Sequence, residues 1–227
     1  MTNIRLFEEF LKNIDLKFYR EKYRPIKIVE MDLPKEIQAI SLLYETYWDK
    51  QQLLPFEEFY DVYFNEKKEL LEKFRIKIQM CKKCFYLGLP ARIYRTWASL
   101  ITQIHAGYVA ESVFGKETTN MSSDLDHKGV DILVKYKGHI LNYQVKKKSE
   151  SREIRIPKKT KLSIEGEFLD LFYEVPSDDI FANPKKKNGD YKLQYSRFIN
   201  APLKRLDNGF VVFTEEAFNT KKEEIDK

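Results

Sequence analysis

Apolar positions along this chain fall into two regimes. Over the first 115 residues they recur at helical spacing, and beyond that they alternate at the period of a strand. "LFEEFLKNI" (6–14) repeats at helical intervals, and "LPKEIQAISLLYETYWDK" (33–50) does the same, with Asp32 as a candidate N-cap and Pro34 in its first turn. A third helix is predicted over 56–78. A fourth is predicted over 90–115, opening at Pro90 and ending at Gly115. After Gly115, "GVDILVKYKGHILNYQVK" (129–146) holds two β-rich runs divided by Lys137-Gly138, a hairpin signal. "EFLDLFYEV" (167–175) and "FVVF" (210–213) read as further strands, and 177–190 as a turn-rich loop. The expected architecture is α/β: a helical N-terminal layer (1–88) and a core with a mixed β-sheet (89–227), together one domain.

The hairpin signal dictates a strand register. A two-residue turn at Lys137-Gly138 pairs Tyr136 with His139. Counting outward then sets Asp131 opposite Gln144, and Gly129 opposite Lys146. Directly opposed residues share a face with Cβ atoms roughly 4.5–5.5 Å apart, as do residues two apart in one strand. Asp131, Gln144 and Lys146 therefore converge, while Leu141, Tyr143 and Val145 form the opposite, core-facing side.

A carboxylate and an amide oxygen suit a hard cation such as Mg²⁺, and the Val145 carbonyl could add a third oxygen. A lysine beside them can stabilise charge developing on a phosphate, and metal-bound water can act as nucleophile. This set suffices for phosphodiester hydrolysis. Asp and Lys on the open face of an antiparallel hairpin are also ordinary surface chemistry. Two further acids are candidates for the same site: Glu111, towards the end of the preceding helix, and Asp126 in "DLDHKGVD".

Composition narrows the field. Hydrophobic residues make up 43% of 227, which allows a real core and excludes a wholly disordered chain. No apolar run approaches membrane-spanning length, and "MTNIRLFEEF" lacks the pattern of a signal peptide. A prokaryotic cytoplasmic location is expected. No G-x-x-x-x-G-K-[ST] stretch is present, which disfavours a nucleotide-driven motor. Cys81 and Cys84 form a lone "CKKC". With no second ligand pair for zinc, they are read as two reduced thiols. The net charge of +5 is mild, but the lysines gather at 146–148, 158–161 and 185–187, which fits a nucleic-acid partner.

The Asp131…Gln144-Val145-Lys146 arrangement resembles the signature of the PD-(D/E)XK nucleases, in which an Asp opens one strand and an acid-x-Lys closes the next. A more extensive resemblance spans most of the chain in order. Residues 19–37, 88–108, "DHKGVDILV" (126–134), "QVKKK" (144–148) and "LDNGFVVF" (206–213) are similar to the TaqI-type type II restriction endonucleases. The resemblance implies a PD-(D/E)XK restriction-endonuclease-like core and a Mg²⁺-dependent homodimer that cuts double-stranded DNA at a short palindrome, TCGA in that family. It also implies a cognate DNA methyltransferase in the host. Asp126 and Asp131 match the two acids of the family's D-x-x-G-[IV]-D stretch, Gln144 and Lys146 its Q-x-K, and Lys147 a further lysine. Gln144 departs from the broader nuclease pattern, because most relatives carry an acid there.

For DNA contact, Lys147, Lys148, Lys158, Lys159 and Lys161 are candidates for the phosphates, which give affinity without sequence choice. Asn183, Asn188, Gln194 and Arg197 carry the donors and acceptors that base edges require. Two other readings stand beside a restriction enzyme. One is a structure-selective nuclease on the same fold; the other is a DNA-binding protein silenced at Gln144.

Overall fold

The computed structural model describes residues 3–23, 25–26, 33–147 and 164–227. Asp32, Lys148, Lys158, Lys159 and Lys161 lie outside these described residues. The N-terminal part is helical, as its periodicity predicts. Helices α1 (Asn3–Lys12) and α2 (Leu16–Tyr23) are followed by a 3₁₀ turn (Lys35–Ile37), α3 (Ile40–Tyr44) and α4 (Phe56–Lys77). The helix predicted over 33–50 is divided at Gln38, whose backbone is extended (φ −70°, ψ 146°), and beyond it α3 runs on into a π-turn over Glu45–Asp49. Such wide turns are rare and cluster at functional sites.

The spine of the molecule is α5 (Lys82–Phe114), 33 residues long. It begins eight residues before Pro90, the start that the sequence suggests. Cys81 supplies the reason: its Sγ accepts the Cys84 amide at 3.1 Å and caps the first turn. Cys81 and Cys84 are also joined as a disulfide, their Cα atoms 5.4 Å apart, which corrects the expectation of two free thiols. The three-residue spacing across one helical turn brings them within bridging range. Gly115, at φ +112°, ends the helix where the sequence placed its end.

Aromatic side chains fill the space between α5 and the N-terminal helices. Trp97, Tyr47, Phe56, Phe59 and Tyr63 are almost wholly buried. Their polar tips are satisfied in sequence: Trp97 Nε1 donates to Tyr47 Oη at 2.8 Å, and Tyr47 donates onward to the Leu54 carbonyl at 2.6 Å. Buried aromatics of this size dominate core energetics, provided the Tyr and Trp donors find partners.

Beyond α5 lie β1 (Thr119–Asn120), α6 (Ser123–His127), β2 (Ile132–Tyr136), β3 (His139–Lys147) and β4 (Glu167–Tyr173). They form a mixed sheet in the order β1-β2-β3-β4. The β2–β3 hairpin has the predicted register, with Tyr136 opposite His139 and Ile132 opposite Tyr143. Lys137 and Gly138 take φ of +45° and +80°, the two left-handed positions that a type I′ turn requires. Leu141, Tyr143 and Val145 are buried, as the alternation predicts. β4 joins β3 in parallel, setting Gln144 opposite Asp170 and Lys146 opposite Phe172.

The loop expected over 177–190 contains a short helix, α7 (Asp178–Ala182), and α8 (Leu193–Ile199) follows it. β5 (Leu203–Arg205) and β6 (Val211–Phe213) make a separate two-stranded sheet. A last helix, α9 (Glu216–Asp226), covers the sheet with Phe218, which packs on Tyr143 and Phe114. No helix was expected there from the sequence. Its apolar positions are too sparse for the periodicity to stand out, and one buried residue, Phe218, carries its anchoring.

Candidate active site

The site gathers where β2 begins and β3 ends. Ser122 Oγ accepts the Leu125 amide at 3.2 Å and starts the short helix α6, which carries Asp126. The chain then reverses through Gly129 at φ +80°, with the Gly129 amide bonded to the Asp126 carbonyl at 2.8 Å. A left-handed residue is needed at this reversal, and glycine supplies it without strain. The reversal brings Asp131 back beside Asp126. Burial pushes the Asp126 carboxyl above its ordinary value, while a hydrogen bond with Asp131 works in the other direction. Two acids this close share their negative charge imperfectly.

Asp131 is 8% exposed and is tied into the sheet twice. Its amide donates to the Tyr143 carbonyl at 2.9 Å, and its Oδ2 accepts the Val145 amide at 2.6 Å. The catalytic candidate is thus also part of the β2–β3 ladder. Gln144 donates from Nε2 to the Gly129 carbonyl, which leans its side chain towards β2 and leaves the amide oxygen as the group a cation could take. Lys146 extends from the same face, and its Nζ meets Asp170 Oδ2 at 2.5 Å. Asp126, Asp131, Gln144 and Lys146 are therefore brought to one place. Val145 joins them through its backbone.

Glu111 does not join them. It accepts from Asn3 Nδ2 at 3.4 Å, and Phe114, three residues on, packs against Tyr136 at the turn end of the hairpin, away from Asp131. Among the described residues no three His, Cys, Asp or Glu side chains converge. From α5, Ser99 lies beside the Tyr173 hydroxyl, which feels the charge of Asp131.

The DNA-contact candidates are spread more widely. Lys147 is exposed at the end of β3. Asn188 is engaged within its own turn, donating to Asp190 Oδ2 at 2.7 Å and accepting the Asp190 amide at 3.2 Å. Asn183 ends α7, Gln194 lies in α8, and Arg197 pairs with Glu174 at 3.8 Å.

Two residues near the site gave no warning in the sequence. Tyr44, at the end of α3, is 2% exposed, and its hydroxyl has no hydrogen-bond partner among the described residues. Burial and then the charges of Asp126 and Asp131 push its pKa up. Asp170 is the other. Its place in a β-rich run was visible, but the pairing of that run with β3 was not.

An acidic pair, an amide and a lysine gather beside the strand ends of a mixed sheet in an α/β protein, hard oxygen donors next to a cation. Comparison with known proteins narrows this. The TaqI restriction endonuclease family model matches residues 4–225. Type II restriction enzyme TaqI of Thermus aquaticus is 34% identical over 228 residues, covering 93% of this chain and 84% of that enzyme. Type II restriction enzyme TthHB8I of Thermus thermophilus is 33% identical over 224 residues, with the same two shares. No solved structure gives a significant match. The chain belongs to the TaqI restriction endonuclease family.

Proposed function

We propose that this protein is a homodimeric, Mg²⁺-dependent endonuclease that hydrolyses both strands of duplex DNA at a short palindrome, TCGA. The observation that carries the reading is the convergence of Asp131, Gln144 and Lys146 on one face of the β2–β3 hairpin, in a chain of this family. The oxygens present are hard donors, and they fit Mg²⁺ better than a soft metal. Asp131, the Gln144 amide oxygen and the Val145 carbonyl would hold it. When bound, the ion supplies an activated water and charge neutralisation at the phosphate.

The chain's own residues do the rest. Asp131, fixed by the Val145 amide, holds its carboxylate in one orientation, so little rearrangement is needed when substrate arrives. Lys146 carries a positive charge two residues beyond Gln144, where a phosphate oxygen gaining charge can be stabilised. Lys147, together with Lys148, Lys158, Lys159 and Lys161 in the adjoining basic stretch, grips the backbone. Arg197 and Asn188 are the base-reading candidates in the C-terminal part. A palindromic target calls for a two-fold dimer, each subunit reading one half-site. A cognate methyltransferase would protect the host's own sites.

The test is digestion of a plasmid of known sequence with Mg²⁺ and with EDTA, followed by mapping of the ends. Discrete Mg²⁺-dependent ends at TCGA support both chemistry and specificity. Ends at another site keep the chemistry and overturn the target. Asp131→Ala and Lys146→Ala are expected to abolish cleavage while gel-shift binding persists; cutting near the parent rate by either variant removes that residue from the mechanism. The neutral Gln144 supports a second reading, a DNA-binding protein without cleavage. Binding with no Mg²⁺-dependent product would favour it.

A further inference from the structure

The endonuclease reading leaves one charge missing. In the acid-x-Lys pattern the acid and the lysine lie two residues apart on one face of one strand, so the lysine has a carboxylate beside it. Here that position is Gln144, which is neutral and already leans towards Gly129 on the β2 side. On its other side β4 runs parallel, with Asp170 directly opposite Gln144 in the register. Paired residues of adjacent strands project to the same face. The burial alternation of β4 agrees, with Leu171 and Tyr173 turned into the core and Asp170 away from it. Asp131, Gln144 and Asp170 thus form one row across three strands. Lys146 takes its carboxylate partner from the far end of that row, with Nζ 2.5 Å from Asp170 Oδ2.

Resting on the endonuclease reading, we propose that Asp170 replaces the acid absent at Gln144, supplying from the neighbouring strand both the carboxylate beside Lys146 and the second negative charge that a divalent cation needs. An acid at position 144 would share the face of Lys146 on β3, and Asp170 reaches the Lys146 ammonium on that face from the opposite strand. Asp126 lies on the Asp131 side of Gln144, whereas Asp170 adds a carboxylate on the side of β4, beside Lys146.

The experiment moves the charge back. Asp170→Asn keeps the shape of the side chain and removes its charge; the double variant Gln144→Glu/Asp170→Asn restores a carboxylate on β3. Mn²⁺ binding to the free protein is followed by electron paramagnetic resonance, DNA affinity in EDTA by gel shift, and cleavage with Mg²⁺. Loss of a carboxylate contact of this kind costs roughly 10–100-fold in metal affinity or activity. Asp170→Asn is expected to lose about that much Mn²⁺ affinity and cleavage rate, with DNA affinity in EDTA not reduced, and the double variant to recover most of both. Unchanged Mn²⁺ affinity in Asp170→Asn overturns the proposal, as does failure of Gln144→Glu to rescue. A parent protein that neither cleaves nor takes up Mn²⁺ fails at the endonuclease reading itself, and the single parent control identifies that case.

Discussion

Glu8 and His105 meet at 3.2 Å across 97 residues of sequence, where α1 crosses α5. Burial lowers the His105 pKa, so the ring stays neutral. Its hydrogen bond holds the Glu8 carboxyl down at about 2 against the cost of burial, with Lys204 helping at 2.8 Å. Both folded-state values lie below their unfolded ones, 6.5 for His105 and 4.5 for Glu8. Each therefore gives stability that is present above the unfolded value and lost as pH falls. Urea midpoints should begin to fall below about pH 6.5, and fall again between about 4.5 and 2, the Glu8 share being on the order of 2–3 kcal/mol. Glu8→Gln should remove the fall between about 4.5 and 2, and because Glu8 holds the His105 pKa up, its loss should deepen the fall that begins below about 6.5. A curve unchanged by Glu8→Gln would show that the pair does not govern acid stability.

At the same scale, Asp131, Gln144 and Lys146 were legible because two residues of turn, Lys137 and Gly138, dictate every pairing in the hairpin. Asp170 was not, since β4 is distant from β3 in sequence and its register depends on tertiary packing. Glu111 looked suitable by its nearness in sequence, but α5 carries it past the acids towards Asn3. Tyr44 gave no signal, because a tyrosine on an apolar helical face reads as core.

The elements owe their positions to a few local devices. β4 enters the sheet through Gly166 at φ +113°, and a Cβ there would lie 2.5 Å from the Ile140 carbonyl oxygen and 2.8 Å from Asn142 Nδ2. Backbone cannot yield to it, and Asn142 is fully buried with its Nδ2 bonded to the Glu165 carbonyl at 3.0 Å. Gly166→Ala should cost on the order of 2–3 kcal/mol from strained backbone and contact together, measured as a fall in the urea midpoint. Because Asp170 rides on β4, the same variant should also lose cleavage. A stable, active Gly166→Ala protein would mean that the strand entry is not held as described. Helix existence was legible from periodicity throughout the N-terminal part. Boundaries were less so: a cap made by Cys81 outweighed Pro90 as a start, and extended backbone at Gln38 divides a pattern that looks continuous in the sequence.

At the scale of the whole molecule, the relevant quantity is the field of a chain with net charge +5. Phosphate contacts release counterions, so the logarithm of DNA affinity should fall linearly with the logarithm of salt concentration. Lys147, exposed at the end of β3, should contribute about one unit of that slope, and Lys147→Ala should lower the slope by roughly that amount without changing the sequence that is cut. An unchanged slope would take Lys147 off the DNA.

The mixed sheet also sets an order of assembly. The β2–β3 hairpin is a local structure, of a kind that closes in about 1–10 μs, whereas parallel pairing with β4 brings together segments more distant in sequence and is slower. Asp131, Gln144 and Lys146 can thus be in register before Asp170 arrives. During synthesis the ribosome releases Lys147 well before β4, so a nascent chain carries an incomplete row. On this view a chain cut short anywhere between the two strands is harmless to its host's DNA, and competence to cut arises only late in the protein's own making.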